Sequence, residues 1–203
     1  MKIRIYVEGG GNTKASRASC REGFREFFCK AGLKGRMPQI IASGAREKAF
    51  DDFCSALEMA KVNEFIALLV DSEMPIEAED GVWTHLKSHD KWDKPKAAAD
   101  NSAHLMVQCM ESWFLADKDK LKEFFGKEFK PNALPANSKI ENIEKKDVLD
   151  GMENSTRDCD KKGKYSKGEH SFDILAKIDP TEVMQASPHA RRLIEILIEK
   201  AKA

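Results

Sequence analysis

The sequence is short of the signatures that mark several large classes of protein. No two of its five cysteines (Cys20, Cys29, Cys54, Cys109 and Cys159) stand in a CxxC spacing, and five is an odd number. That argues against a zinc ribbon and against a disulfide framework. Cys29 and Cys54 fall among apolar residues of expected helices, where cysteine acts as a small hydrophobe. There is no net charge, with 34 Lys plus Arg against 34 Asp plus Glu. A protein that coats nucleic acid is usually basic overall, so any polyanion has to be met locally, by a cleft or a loop. No apolar run approaches the length of a membrane span, and the opening MKIRIYVEGGG lacks a signal-peptide layout, so the expected compartment is the cytoplasm. No Gly-x-Ser-x-Gly elbow is present. His85 and His89 are spaced HxxxH, but Leu86 stands where a zincin needs Glu. Gly9-Gly10-Gly11-Asn12-Thr13-Lys14 has neither the Gly-Lys-[Ser/Thr] ending nor the GxGxxG spacing of a nucleotide loop. No internal repeat is visible.

What is present reads as an α/β chain. Ile3, Ile5 and Val7 alternate in a strand that stops at Glu8-Gly9-Gly10-Gly11. Phe24, Phe27, Phe28 and Ala31 recur at helical spacing within 14–31. Residues 39–42 form a short second strand, and Ser43 is the expected N-cap of a helix striped by Ala49, Phe50, Phe53, Cys54, Leu57 and Ala60. The nearly all-apolar run 64–71 suits a central strand covered on both faces. Residues 74–102 are polar and predict a long functional loop, with Trp83 and Trp92 anchoring it to the core. A fourth strand is expected over 104–110, running into a helix at 111–115. The β-α-β-α-β order predicts a mainly parallel central sheet flanked by helices, with a helical C-terminal extension. The length of 203 residues fits one domain, 1–203, with a core of about 1–125 and a polar linker and C-terminal helices at 126–203. Residues 126–170 show few apolar anchors and predict loose helix or loop. Asp179-Pro180 and Ser187-Pro188 are helix starts, and the last helix buries Leu193, Ile194, Leu197, Ile198 and Ala201.

In open parallel sheets, ligands collect outside the carboxyl ends of the strands. Two strands here end in acids, Val7-Glu8 and Val70-Asp71, and Asp71-Ser72-Glu73 adds a third. As neighbours, the strand ends lie about 5 Å apart. In extended backbone, alternate side chains share a side. The three carboxylates then form a hard, all-oxygen site suited to Mg²⁺ or Mn²⁺ and not to zinc. The competing reading is that each acid caps a helix or pairs with a lysine. Gly9 and Gly10 let the backbone pass close to a metal or phosphate.

A strand ending in Glu-Gly, followed by an apolar strand ending in D-x-D or D-x-E, resembles the Toprim domain of topoisomerases, primases and OLD-type nucleases. The chain as a whole resembles a Toprim-like bacterial family of unknown function, the DUF4276 family. The matching pieces are Val7–Gly10, Leu69–Glu73, Val107–Asp117 and Tyr165–Gly168, together with Asp179-Pro180 and Ser187-Pro188-His189. One departure is Glu73, which stands where the usual motif has a second Asp. The resemblance implies a Mg²⁺-dependent nuclease or other phosphodiester-processing hydrolase acting on DNA or RNA. In it Glu8 handles a proton or shares the metal, while Asp71 and Glu73 are ligands. Glu111 is either a fourth acid or only a first-turn charge favoured by the helix dipole. Lys167 is the candidate phosphate-facing cation, against the alternative of a solvated loop. His189, Arg191 and Arg192 crowd a helix start that suits an anion, or else serve on the surface. An ABC- or AAA-type ATPase partner in anti-phage defence or DNA repair is implied, and a homodimer is compatible with exposed apolar residues in the last helix. The rival class is a non-catalytic interaction module. A receiver-like phosphatase is disfavoured, because Glu-Gly-Gly stands where a nucleophilic Asp belongs.

Overall fold

The computed structural model describes residues 1–76 and 81–203. Strands β1 (Lys2–Glu8), β2 (Gln39–Gly44), β3 (Glu64–Asp71) and β4 (Ala103–Met106) form a four-stranded sheet in the order β2-β1-β3-β4, every pairing parallel. The chain runs outward from β1 to β2 and then returns to place β3 on the other side of β1. That reversal opens a crevice at the carboxyl ends of β1 and β3, the switch point where doubly wound sheets take ligands. Val7 pairs with Leu69, so Glu8 and Asp71 leave the sheet at the same end.

Pleat alternation splits the core in two. Ile3, Ile5, Val7, Ala67 and Leu69 face one side, where α1 (Lys14–Phe28) and α8 (Pro188–Lys202) pack with Phe24, Phe27, Phe28, Leu193 and Leu197. Tyr6, Ile66, Leu68 and Val70 face the other, covered by Phe53 of α2 (Arg46–Glu58) and Leu86 of α3 (Val82–Asp90). β3 is buried on both faces, as its apolar run requires.

Several boundaries differ from the sequence expectation. Ser43 is not an N-cap. It is a buried residue of β2, and Ala45 takes the cap position of α2 without a side-chain bond. The stretch 74–102 is not one loop, since α3 occupies part of it; the portion at 77–80 lies outside the described residues. Trp83 packs near Phe53, and Trp92 stacks on Phe50 at 4.2 Å between ring centroids, so both serve as anchors. β4 ends at Met106, and Met110–Ala116 winds as a 3₁₀ helix.

The region 126–170 is the largest correction. It contains α5 (Lys145–Thr156), and Phe129, Leu134, Ile140, Ile143, Val148, Met152 and Tyr165 are buried in the same cluster as α1. Their irregular spacing hid them from a periodicity argument. α4 (Lys118–Phe125), α6 (Lys167–Leu175) and α7 (Pro180–Ala186) complete the helices. α6 lies so close to α1 that a Cβ on Gly23 would sit 2.7 Å from the Phe172 carbonyl oxygen. The two late helix starts form as read: Asp179 accepts from Thr181 N–H at 2.8 Å and Ser187 from Ala190 N–H at 3.0 Å. Ile196, Ile198 and Ala201 of α8 are half-buried against the core, so the apolar stripe is not left exposed. Among the described residues no helix is long and apolar enough to cross a membrane.

Candidate functional site

The crevice is built first by β1 and β3. Glu8 Oε2 accepts from the Asp71 backbone N–H at 3.1 Å, and Asp71 Oδ1 accepts from Met110 N–H at 2.9 Å. Beyond Glu8 the chain turns through Gly9, Gly10 and Gly11 at φ of 131°, 82° and 50°. At Gly10 the glycine is also required by closeness, because a Cβ would lie 2.9 Å from Arg17 Cα. These residues, with Lys167 and Ser171, line a cavity of about 290 Å³.

Glu73 joins the acids by a route the pleat does not supply. β3 has ended, Ser72 is buried, and Glu73 sits in the left-handed region at φ 65°, held by its N–H to the Gln108 carbonyl at 3.0 Å. Gln108 is itself left-handed at φ 63°. Two such residues side by side cost roughly 1 kcal/mol or more each, a strain that clusters at functional sites. Carboxylate oxygens of Glu8, Asp71 and Glu73 lie within 4.8 Å of one another. Lys145 Nζ reaches Glu73 Oε2 at 2.5 Å.

On the α6 side, Lys167 Nζ lies 3.8 Å from Asp71 Oδ2 and 3.4 Å from Glu111 Oε2. Glu111 is fully buried (0 % exposed) at the start of the 3₁₀ helix. Its Oε1 accepts from Tyr165 Oη–H at 3.0 Å and from Ser171 Oγ–H at 3.3 Å. On the α2 side, Arg46 donates to both oxygens of Asp90 at 2.7 Å each, to Glu8 Oε2 at 3.3 Å and to the Asp71 carbonyl. Its guanidinium lies over Trp92, 5.1 Å from the ring centroid.

The charges follow from this packing. Burial, and then the neighbouring Glu8 charge, push the Asp71 carboxyl up to about 8. Burial also raises Glu8, with Arg46 and the Asp71 N–H pulling the other way. For Lys167, burial works against the charge, but Glu111 and Asp71 outweigh it and hold the ammonium above the ordinary lysine range. Burial and the Glu111 charge raise the Tyr165 phenol and, in the same order, push the Cys109 thiol up to about 12, so both stay protonated at neutral pH. Burial opposes ionisation of Asp90, yet the Arg46 bonds and charge leave it below the usual carboxylate range.

The donor set of Glu8, Asp71 and Glu73 is all oxygen, and burial disfavours the Asp71 carboxylate unless a further positive charge stands beside it. Both properties fit a hard divalent cation such as Mg²⁺ or Mn²⁺.

Of the residues singled out in the sequence, Glu8, Gly9, Gly10, Asp71, Glu73 and Lys167 meet at this crevice. Glu111 is adjacent but not in the acid cluster. Its oxygens are taken by Tyr165, Ser171 and Lys167, so it acts as the counter-charge to Lys167. His189 and Arg191 do not line the cavity. His189 Nδ1 is 2.9 Å from Glu141 Oε2, and Arg191 donates to the Met184 carbonyl at 3.0 Å. Arg192 is bound to the Ala103 and Asp100 carbonyls. A larger open groove of about 1050 Å³, between 115–120, 136–142 and α7, holds none of the predicted site residues.

Arg46, Lys145, Asp90, Tyr165 and Ser171 were not singled out as site residues. Arg46 had a usable signal, since the first residue of a helix following a parallel strand lies at the carboxyl edge of the sheet. Lys145 had none, because its place depends on how 126–145 folds back.

The family described as "Domain of unknown function (DUF4276)" matches residues 7–198, so the chain belongs to that family. No curated protein and no solved structure matches it.

Proposed function

We propose that this DUF4276 protein is a Mg²⁺-dependent, Toprim-like phosphodiester-processing enzyme acting on nucleic acid. The observation that carries the reading is the meeting of three acids from β1 and the end of β3 at the switch point, beside a lysine that faces the same cavity. Asp71, Glu8 and Glu73 would hold the cation. When bound, it neutralises charge on a phosphate oxygen and makes a nearby water more acidic. Glu8, raised by burial, is suited to hold and release a proton at its carboxylate. Lys167 presents a fixed positive charge to a phosphate entering beside Asp71. Gly9 and Gly10 are glycines because Phe172, Cys20 and Arg17 pack against the turn, and only Gly11 leaves open space beside it. A net charge of zero and the lack of a nucleotide-hydrolysing motif fit a subunit that gains nucleic-acid affinity from an ATPase partner, in anti-phage defence or DNA repair.

One observation favours a different class, a non-catalytic interaction module: Glu8 and Glu73 each already have a protein cation, Arg46 and Lys145. Nicking of supercoiled plasmid with Mg²⁺ or Mn²⁺, alone and with the neighbouring gene product, separates the two. Cleavage by the wild type that is lost in Glu8→Gln and Asp71→Asn, with circular dichroism unchanged, supports the enzyme. Absence of cleavage by every form, with and without that product, supports the module.

A further inference from the structure

We infer that Asp90 and Arg46 are a positioning pair for Glu8, through which the end of α3 controls how strongly the acid cluster takes a divalent cation. The inference rests on the metal-binding reading above and names the residues that regulate it. Arg46 is mostly enclosed, its side chain 15 % exposed, and four of its five N–H donors are engaged by protein: Nε and Nη2 on the two Asp90 oxygens, Nη1 on Glu8 and the Asp71 carbonyl. A planar guanidinium held by a two-point carboxylate bond has little freedom to turn. Trp92 lies against it and is itself stacked flat on Phe50, with 2° between the rings. The other group facing Asp90 is His89, whose Nδ1 is 3.2 Å from Oδ1.

The arrangement decides what Glu8 can offer. Arg46 bonds to Asp90 at 2.7 Å but to Glu8 at the longer 3.3 Å. Asp90 therefore takes most of the arginine's charge and leaves the Glu8 carboxylate available. Without Asp90, Glu8 becomes the nearest carboxylate to a buried cation, and an ion pair forms at the oxygens a metal needs. Loss of orientation and competition for charge act in the same direction, toward weaker cation binding. Groups that orient ligands in this way typically contribute about 10–100-fold to metal affinity.

The test is Mn²⁺ titration of the metal-free full chain, with free Mn²⁺ read by electron paramagnetic resonance and melting followed in parallel. Asp90→Asn is expected to weaken Mn²⁺ binding about 10–100-fold, beyond any change its melting explains. Asp90→Glu should recover most of the affinity. Asp93→Asn, which removes only the exposed partner of Lys87, should match the wild type. If Asp90→Asn does not fold, Trp92→Leu loosens the guanidinium without removing a charge and should weaken binding severalfold. Wild-type affinity in the folded variant overturns the inference and leaves the metal reading standing. No Mn²⁺ binding by the wild type overturns that reading, and this inference falls with it.

Discussion

The two flanks of the acid cluster each present a cation, and they are built differently. On the α2 flank, Arg46 is enclosed, held by hydrogen bonds at 2.7 Å to Asp90, and stacked on Trp92. On the α6 flank, Lys167 keeps 55 % of its side chain exposed and meets its acids only loosely, at 3.4 and 3.8 Å. The cation whose Nε, Nη1 and Nη2 are all engaged by protein acceptors is fit to orient its neighbours. The other, positioned by a buried carboxylate behind it and open to the cavity in front, is the one that would meet a phosphate in the proposed reaction. Asp71 lies between them, with one oxygen on a backbone N–H and the other toward Lys167.

The sharpest way to break this comparison is to remove its centre. Asp71→Asn is expected to abolish metal-dependent nicking, a loss of more than about 100-fold, while far-ultraviolet circular dichroism is unchanged. Next comes the open flank. Lys167→Met is expected to lower kcat by roughly 10²-fold, the scale of one lost charge-stabilising donor, with a small change in melting temperature. Lys167→Arg should recover part of that loss. His189→Ala and Arg191→Ala, whose side chains are committed to Glu141 and Met184, should stay within about twofold of wild type, a change of under about 0.5 kcal/mol.

A separate effect concerns stability. The Asp71 carboxyl rises from 3.8 to about 8 on folding, so the folded chain keeps a proton that the unfolded chain releases. That contribution is fully present below pH 3.8 and is lost as pH rises through 8. Between pH 5 and 8 the metal-free protein should melt several degrees lower at the upper end. Asp71→Asn should flatten the slope. A wild-type melting temperature that climbs over this range would contradict the assignment.

How much of this could be read from the residues depends on how far apart in the chain the partners lie. β1, β3 and their terminal acids were legible, because an apolar run stopped by a carboxylate is a local signal, and parallel pairing then places Glu8 beside Asp71. Glu73 was identified for a reason the structure does not use: a left-handed residue, not strand alternation, delivers it. Lys167 was singled out as a phosphate-facing cation, but without the carboxylate that positions it. Glu111, fifty-six positions earlier in the chain, sits behind it only after the 126–170 region packs onto the core. That region could not be read because its buried residues follow no single period. Arg46 and Asp90 were missed because their meeting needs α2 and α3 to cover the same sheet face, which no short pattern encodes.

The central claim is that these acids share one divalent cation, and diffraction from crystals soaked in Mn²⁺ tests it most directly. An anomalous peak about 2.1 Å from oxygens of Asp71 and at least one of Glu8 and Glu73 is the predicted result. A clean map there at saturating Mn²⁺, with Arg46 and Lys145 still holding Glu8 and Glu73, would contradict it.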